Sequence, residues 1–275
     1  MRKVEEGASL EGAPKARLIV VSNRLPVVPR KSRANGKWSF DRSSGGLVSA
    51  FLGVKNMEIT WVGWVGGQVP AEEQKDVTEK LAKQEPFSCI PVYLDEDVAD
   101  NYYNGFCNNV LWPLLHYIPL SMLDSQASVA ELQWDAYQTA NAAFADAVMS
   151  LELTDSDLVW VQDYHLMLLP RYLRERSPNM SIGWFLHTPF ATSEMYRTLP
   201  HREEILRGVL GADLVRATLK PPPSSHARWW SSTCTLPLTP TPARACSRWG
   251  STFMTTLATS TCRALACSAR AGRRE

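Results

Sequence analysis

The sequence predicts an α/β protein built on a Rossmann-like, doubly wound parallel sheet. Two observations carry this. Short apolar runs rich in β-branched residues recur along the chain, as strands buried on both faces require. Segments with helical periodicity separate them, and alternation of strand and helix is the pattern of a parallel sheet covered on both sides.

Leu18-Ile19-Val20-Val21 is the first strand and stops at Ser22-Asn23-Arg24-Leu25-Pro26, where polar groups and proline end it. Ser43-Ser44-Gly45-Gly46 then opens a helix over residues 47–52, with serine as its cap. Residues 59–64 form a second strand closed by Gly66-Gly67, and residues 71–83 a charged helix. Residues 89–94 form a third strand, although Pro91 within it counts against a regular strand. Trp134, Tyr137, Ala140, Phe144 and Val148 recur at three and four, one face of an amphipathic helix. Leu158-Val159-Trp160-Val161 is a fourth strand and stops at Gln162-Asp163-Tyr164-His165. A helix over residues 166–176 follows, then a fifth strand over 182–186 that stops at His187-Thr188-Pro189. Residues 202–210 are helical, and residues 212–215 begin a sixth strand.

Composition divides the chain. The whole carries a net charge of +1, which points to neither a nucleic-acid nor a membrane partner. Residues 216–275, however, hold nine Lys/Arg against one acid, Glu275, while residues 1–215 hold 20 against 27. Residues 1–16 read as a flexible leader without the apolar core of a secretory signal. Residues 17–215 read as the ordered domain, and residues 216–275, rich in Ser, Thr, Ala, Pro and Arg, as a disordered or foreign tail. No apolar run reaches the ~20 residues that cross a bilayer. No Cys pair or His spacing completes a zinc site, so a cytoplasmic protein with reduced thiols and no metal is expected. The sequence also lacks a P-loop, a G-x-G-x-x-G fingerprint and a G-x-S-x-G elbow, which argues against kinase, dehydrogenase and serine-hydrolase chemistry.

Ligands of open α/β sheets bind at the carboxyl ends of strands. Arg24 ends the first strand, where a guanidinium can grip a phosphate in bidentate fashion; a surface arginine is the plainer alternative. Gly45-Gly46, before a helix, would let backbone N–H groups approach a phosphate, although the motif alone reads more readily as a turn. Tyr103 and Trp112 lie in aromatic-dense strings that suit either a sugar face or core packing, while His116 and Tyr117 read as core. Asp163 and His187 end neighbouring strands and are placed to share one crevice; a helix cap and a packed histidine are their structural alternatives. His165 reads as structural.

Taken in order, Ser22-Asn23-Arg24-Leu25-Pro26-Val27, Ser44-Gly45-Gly46-Leu47, Tyr102-Tyr103-Asn104-Gly105-Phe106, Leu111-Trp112-Pro113, Asp163-Tyr164-His165-Leu166 and Phe185-Leu186-His187-Thr188-Pro189-Phe190 resemble the trehalose-6-phosphate synthases, glycosyltransferase family 20. The resemblance runs from about Arg17 to Val215 and is closest to plant members. It implies the N-terminal half of a GT-B glycosyltransferase, two Rossmann-like domains with the active site between them. It implies transfer of glucose from UDP-glucose to glucose 6-phosphate, with retention and without a metal. By motif, Arg24, Tyr103, Trp112 and Asp163 would hold the glucose 6-phosphate acceptor. Gly45, Gly46 and His187 would approach the donor, His187 near the reacting carbon. Asp163 would bind sugar hydroxyls in the cleft, and Asp163 and His187 would be the catalytic residues.

The family usually has His where this chain has Gln162, and Pro where it has Ala191. After Val215 it continues Gly-Phe-His-Thr and then adds the second domain; here Arg216-Ala217-Thr218-Leu219-Lys220-Pro221 follows. A frameshift or wrongly joined exon would give this pattern. The chain is then expected to be a synthase lacking its donor domain. The alternative is a non-catalytic module that binds a sugar phosphate, a second copy of itself or a full-length relative.

Overall fold

β1 (Arg17–Arg24) is the centre of the molecule, and Leu18, Ile19, Val20 and Val21 are fully buried in it. The computed structural model describes residues 16–34, 36–43, 46–54, 57–118, 127–218 and 233–237. β1 pairs in parallel with β4 (Glu58–Trp64) on one side and β6 (Leu158–Gln162) on the other. β5 (Ser88–Val92) lies beyond β4, while β7 (Ser181–Pro189) and β8 (Leu214–Thr218) follow β6. The resulting order is β5-β4-β1-β6-β7-β8. In terms of the parallel strands alone this is 3-2-1-4-5-6, the doubly wound arrangement that the alternating pattern predicts.

Pro91 sits in β5, the edge strand, where a missing N–H costs the sheet nothing. β8 runs to Thr218, three residues past the change in composition at Val215. Two features were not expected from sequence. β2 (Val27–Lys31) and β3 (Trp38–Arg42) form a separate antiparallel hairpin. β9 (Thr233–Pro237) pairs antiparallel with β8 and is the seventh strand.

The helices are α1 (Gly46–Phe51), α2 (Ala71–Ala82), α3 (Glu96–Ala99), α4 (Trp112–Leu115), α5 (Ala127–Met149), α6 (Leu169–Arg176), α7 (Ser193–Tyr196) and α8 (Arg202–Val209). Between α3 and α4 the helix widens to π geometry over Asp100–Leu111, a rare form that concentrates at functional sites. In α5, Trp134, Tyr137, Ala140, Phe144 and Val148 are all buried, as their spacing requires.

The helix expected over residues 166–176 is shorter. Tyr164–Leu166 forms a single 3-10 turn, and the α-helix starts at Leu169. Pro170 explains the restart, because proline is free of penalty only in a first helical turn. His116 is exposed rather than in the core, with its ring 3.8 Å from that of Trp112. Cys89 and Cys107 are buried free thiols, and burial pushes the Cys89 thiol up to about 12. Among the described residues, no helix is long and apolar enough to cross a membrane.

Candidate functional site

The sheet reverses its winding between β1 and β6, so the crevice lies outside their carboxyl ends. Arg24 closes β1 at a bulge: Ser22 pairs with Gly63, but Arg24 pairs with Trp64. The extra residue turns the arginine out of the sheet. Its guanidinium carbon lies 4.8 Å from the centre of the Trp64 ring and 5.1 Å from that of Tyr103. The charge thus lies beside both rings, whose centres are 6.1 Å apart, while the residue stays exposed. Gly66, at φ +86°, completes the wall; a β-carbon there would come 3.1 Å from Arg24 Nη1. A concavity of about 260 Å³ opens beside Arg24, bounded by Gly66, Gly67, Gln68 and the β2–β3 hairpin. The hairpin is fastened to α2 by Glu73, which accepts from Lys31 Nζ at 2.6 and 2.8 Å and from Trp38 Nε1 at 2.8 Å.

The turn after β6 is fastened from below. Tyr137 Oη donates to the Tyr164 carbonyl at 2.8 Å and accepts from the Met167 N–H at 3.0 Å. Asn141 Nδ2 donates to the His165 carbonyl at 3.2 Å, and Tyr102 Oη donates to Asn23 Oδ1 at 3.0 Å. These bonds hold Asp163 at φ 69°, ψ 178°, a backbone region that essentially only glycine occupies without strain. The Asp163 N–H donates to the Phe185 carbonyl at 2.7 Å, and the His187 N–H donates to Asp163 Oδ1 at 3.3 Å. Asp163 and His187 therefore share one strand-end junction, as their positions in the sequence predict.

His187 Nε2 lies 2.9 Å from Gln162 Oε1, and its ring meets the edge of Phe185 at 4.7 Å. Burial lowers the His187 pKa. His165 stacks on Tyr103, with ring centres 5.9 Å apart, and on Tyr164 at 4.0 Å. Burial is the main cause pulling its pKa down to about 4, helped by Arg24 and opposed by Asp163. It is neutral at pH 7. Trp112 joins the group through Tyr164, with ring centres 5.7 Å apart, and is 43% exposed.

Arg24, Tyr103 and Trp112 are thus linked through the rings of His165 and Tyr164, while Asp163, next in the chain to Tyr164, is bonded to His187. Gly46 opens α1, whose Val48 and Phe51 are core residues, with Phe51 against Trp61. Gly45 lies outside the described residues. Sequence reasoning missed Trp64, Gln162 and the stacking role of His165. Trp64 and Gln162 stand at strand ends, the position that singled out Arg24 and His187. A larger concavity of about 470 Å³ at α7 and α8 shares no lining residue with this cluster. Among the described residues, no group of three His, Cys, Asp or Glu side chains is placed to hold a metal.

Fold and cluster together define a doubly wound α/β domain with a group of polar and aromatic side chains at the carboxyl ends of its central strands. The chain belongs to glycosyltransferase family 20, whose profile matches residues 16–220. It is 49% identical over 222 residues to UDP-forming α,α-trehalose-phosphate synthase 1 of Arabidopsis thaliana, covering 80% of this chain and 23% of that protein. It is 50% identical over 204 residues to the UDP-forming synthase of Schizosaccharomyces pombe, covering 72% and 38%. Among solved structures, the E. coli protein bound with UDP-2-fluoro glucose matches with a TM-score of 0.57 and 34% identity, covering 73% of this chain and 39% of that one. The Burkholderia xenovorans synthase in complex with glucose-6-phosphate matches with a TM-score of 0.56 and 28% identity, covering 73% and 40%. These neighbours are GT-B proteins, and this chain spans about two fifths of their length.

Proposed function

We propose that this domain is the acceptor half of a trehalose-6-phosphate synthase, binding glucose 6-phosphate at the Arg24 cluster for glucosyl transfer from UDP-glucose. The single observation behind this is the Arg24 guanidinium, exposed at the end of β1 and seated against the Trp64 and Tyr103 rings. A planar cation so held offers paired N–H donors to a phosphate with little side-chain ordering left to do. The Trp112 face suits the apolar side of a sugar, and the Asp163 carboxylate can accept from its hydroxyls. His187, at the next strand end, is assigned to the donor glucose. Gly45 and Gly46 are assigned to the donor diphosphate.

The relatives' names and the glucose 6-phosphate complex of the Burkholderia protein support the substrate class. Transfer also needs groups that stabilise the leaving diphosphate, commonly the largest part of such catalysis. The reading for this domain is therefore one of acceptor binding. Two buried free thiols support a reducing, cytoplasmic setting.

Calorimetric titration of the full chain with glucose 6-phosphate tests the reading. Binding is expected, and Arg24→Ala should weaken it by about 2 kcal/mol, roughly thirtyfold in Kd. A folded chain that binds no glucose 6-phosphate, or binds it equally well without Arg24, would refute it.

A further inference from the structure

Gln162 is the last residue of β6 and is 1% exposed. It occupies a position where the family resemblance leads one to expect histidine. Its register partner across the sheet is Phe185. Paired residues of neighbouring parallel strands project to the same face, and so do residues two apart on one strand. Gln162, Phe185 and His187 therefore share a face, and the carboxamide reaches up the sheet to the imidazole. Its Oε1 lies 2.9 Å from His187 Nε2. A carboxamide oxygen accepts and never donates, so the hydrogen of this bond belongs to the ring. On the far side of the ring, Nδ1 is buried with no partner among the described residues, and the same holds for Gln162 Nε2.

We infer that Gln162 is a positioning residue that fixes His187 as the neutral tautomer with its proton on Nε2. The consequence is directional. The ring keeps one lone pair, on Nδ1, as its remaining polar function, an acceptor buried beneath the junction without a partner among the described residues. A histidine at position 162 would not impose this, because a second imidazole can donate or accept and leaves the proton distribution of the pair open. Three further contacts fix the ring's place: the His187 N–H on Asp163 Oδ1, the Phe185 edge, and the Thr218 hydroxyl donating to the His187 carbonyl at 3.2 Å. None of these touches a ring nitrogen, so the choice of tautomer falls to Gln162.

The inference bears on the function proposed above, where His187 faces the donor sugar, but the tautomer is measured with no ligand present. The experiment is two-dimensional NMR of the imidazole ring in the full chain, labelled with 15N at histidine, at pH 7. The His187 signals are assigned by their loss in His187→Gln. The wild type should show a single neutral ring protonated at Nε2. A proton on Nδ1, or a doubly protonated ring, would overturn the inference. Gln162→Leu should give a mixture of tautomers; an unchanged Nε2–H ring in a folded Gln162→Leu would also overturn it. Should that variant fail to fold, Gln162→Glu, which retains only acceptors, decides. An Nε2 proton retained there supports the role, and its loss removes it. Glucose 6-phosphate binding is read separately, so its failure leaves this result standing.

Discussion

A β-carbon added to Gly63 would stand 2.7 Å from the carbonyl carbon of Arg24 and 2.6 Å from the Leu25 nitrogen. The bulge that turns Arg24 outward thus rests directly on a glycine of the neighbouring strand, where backbone meets backbone and neither can give way.

Gly63→Ala is expected to destabilise the domain by roughly 1–3 kcal/mol, the usual cost of overpacking. It should also weaken glucose 6-phosphate binding by displacing Arg24. Gly67→Ala is the control for stability, since nothing lies within 4 Å of its added carbon. Urea unfolding of both variants checks this. Equal stability of the two would show that the bulge tolerates the extra carbon.

Asp163 carries backbone strain that a glycine would not. Asp163→Gly should relieve on the order of 1 kcal/mol or more, while Asp163→Ala keeps the strain and loses the carboxylate. The expected order of denaturant midpoints therefore puts glycine above alanine, even though both lose the carboxylate that accepts from the His187 N–H. The reverse order would mean that the backbone angle is not what makes this position costly.

His165 should make stability fall on mild acidification. Its folded pKa, about 4, lies below its ordinary value near 6.5. Between these values the unfolded chain binds the extra proton, so stability is full above about pH 6.5 and falls as pH drops toward 4. The loss is on the order of 2–3 kcal/mol. His165→Phe, which keeps the stack on Tyr103, should flatten this part of the profile. An unaltered slope between pH 6.5 and 4 would assign it to another group.

A second, lower acid step belongs to Asp157. Burial alone would raise its carboxyl, but Arg17 and the Thr154 N–H outweigh that and bring it down to about 2. Its contribution is complete above about pH 4 and is lost as pH falls to 2, roughly 2 kcal/mol in all. Asp157→Asn should remove this step and leave the His165 step intact, as read by unfolding curves from pH 2 to 7.

Much of this was legible in the sequence because it rests on local periodicity. The run over residues 18–21, the five-residue face of α5 and the polar stops at Arg24, Asp163 and His187 give the parallel sheet and the end of it where these three side chains gather. What stayed hidden depends on distant partners or on geometry that composition does not encode. The β2–β3 hairpin is held by Glu73 of α2, some forty residues away in sequence from Lys31. The π run over Asp100–Leu111 breaks the 3.6-residue period. Asp163 adopts an angle that its residue type does not announce. Tyr137 reads as one more apolar rung, yet its hydroxyl fastens the turn beside Asp163.

That fastening gives Tyr137 and Asn141 an unusual genetic signature. Neither faces the crevice, and both are fully buried in α5. Changes at either should nevertheless erode ligand affinity ahead of global folding, because the first thing released is the turn bearing the aspartate. A library of random variants scored for binding would return these two helix residues among its hits. Sorting the hits by distance to the ligand would then discard half of the machinery that sets the site.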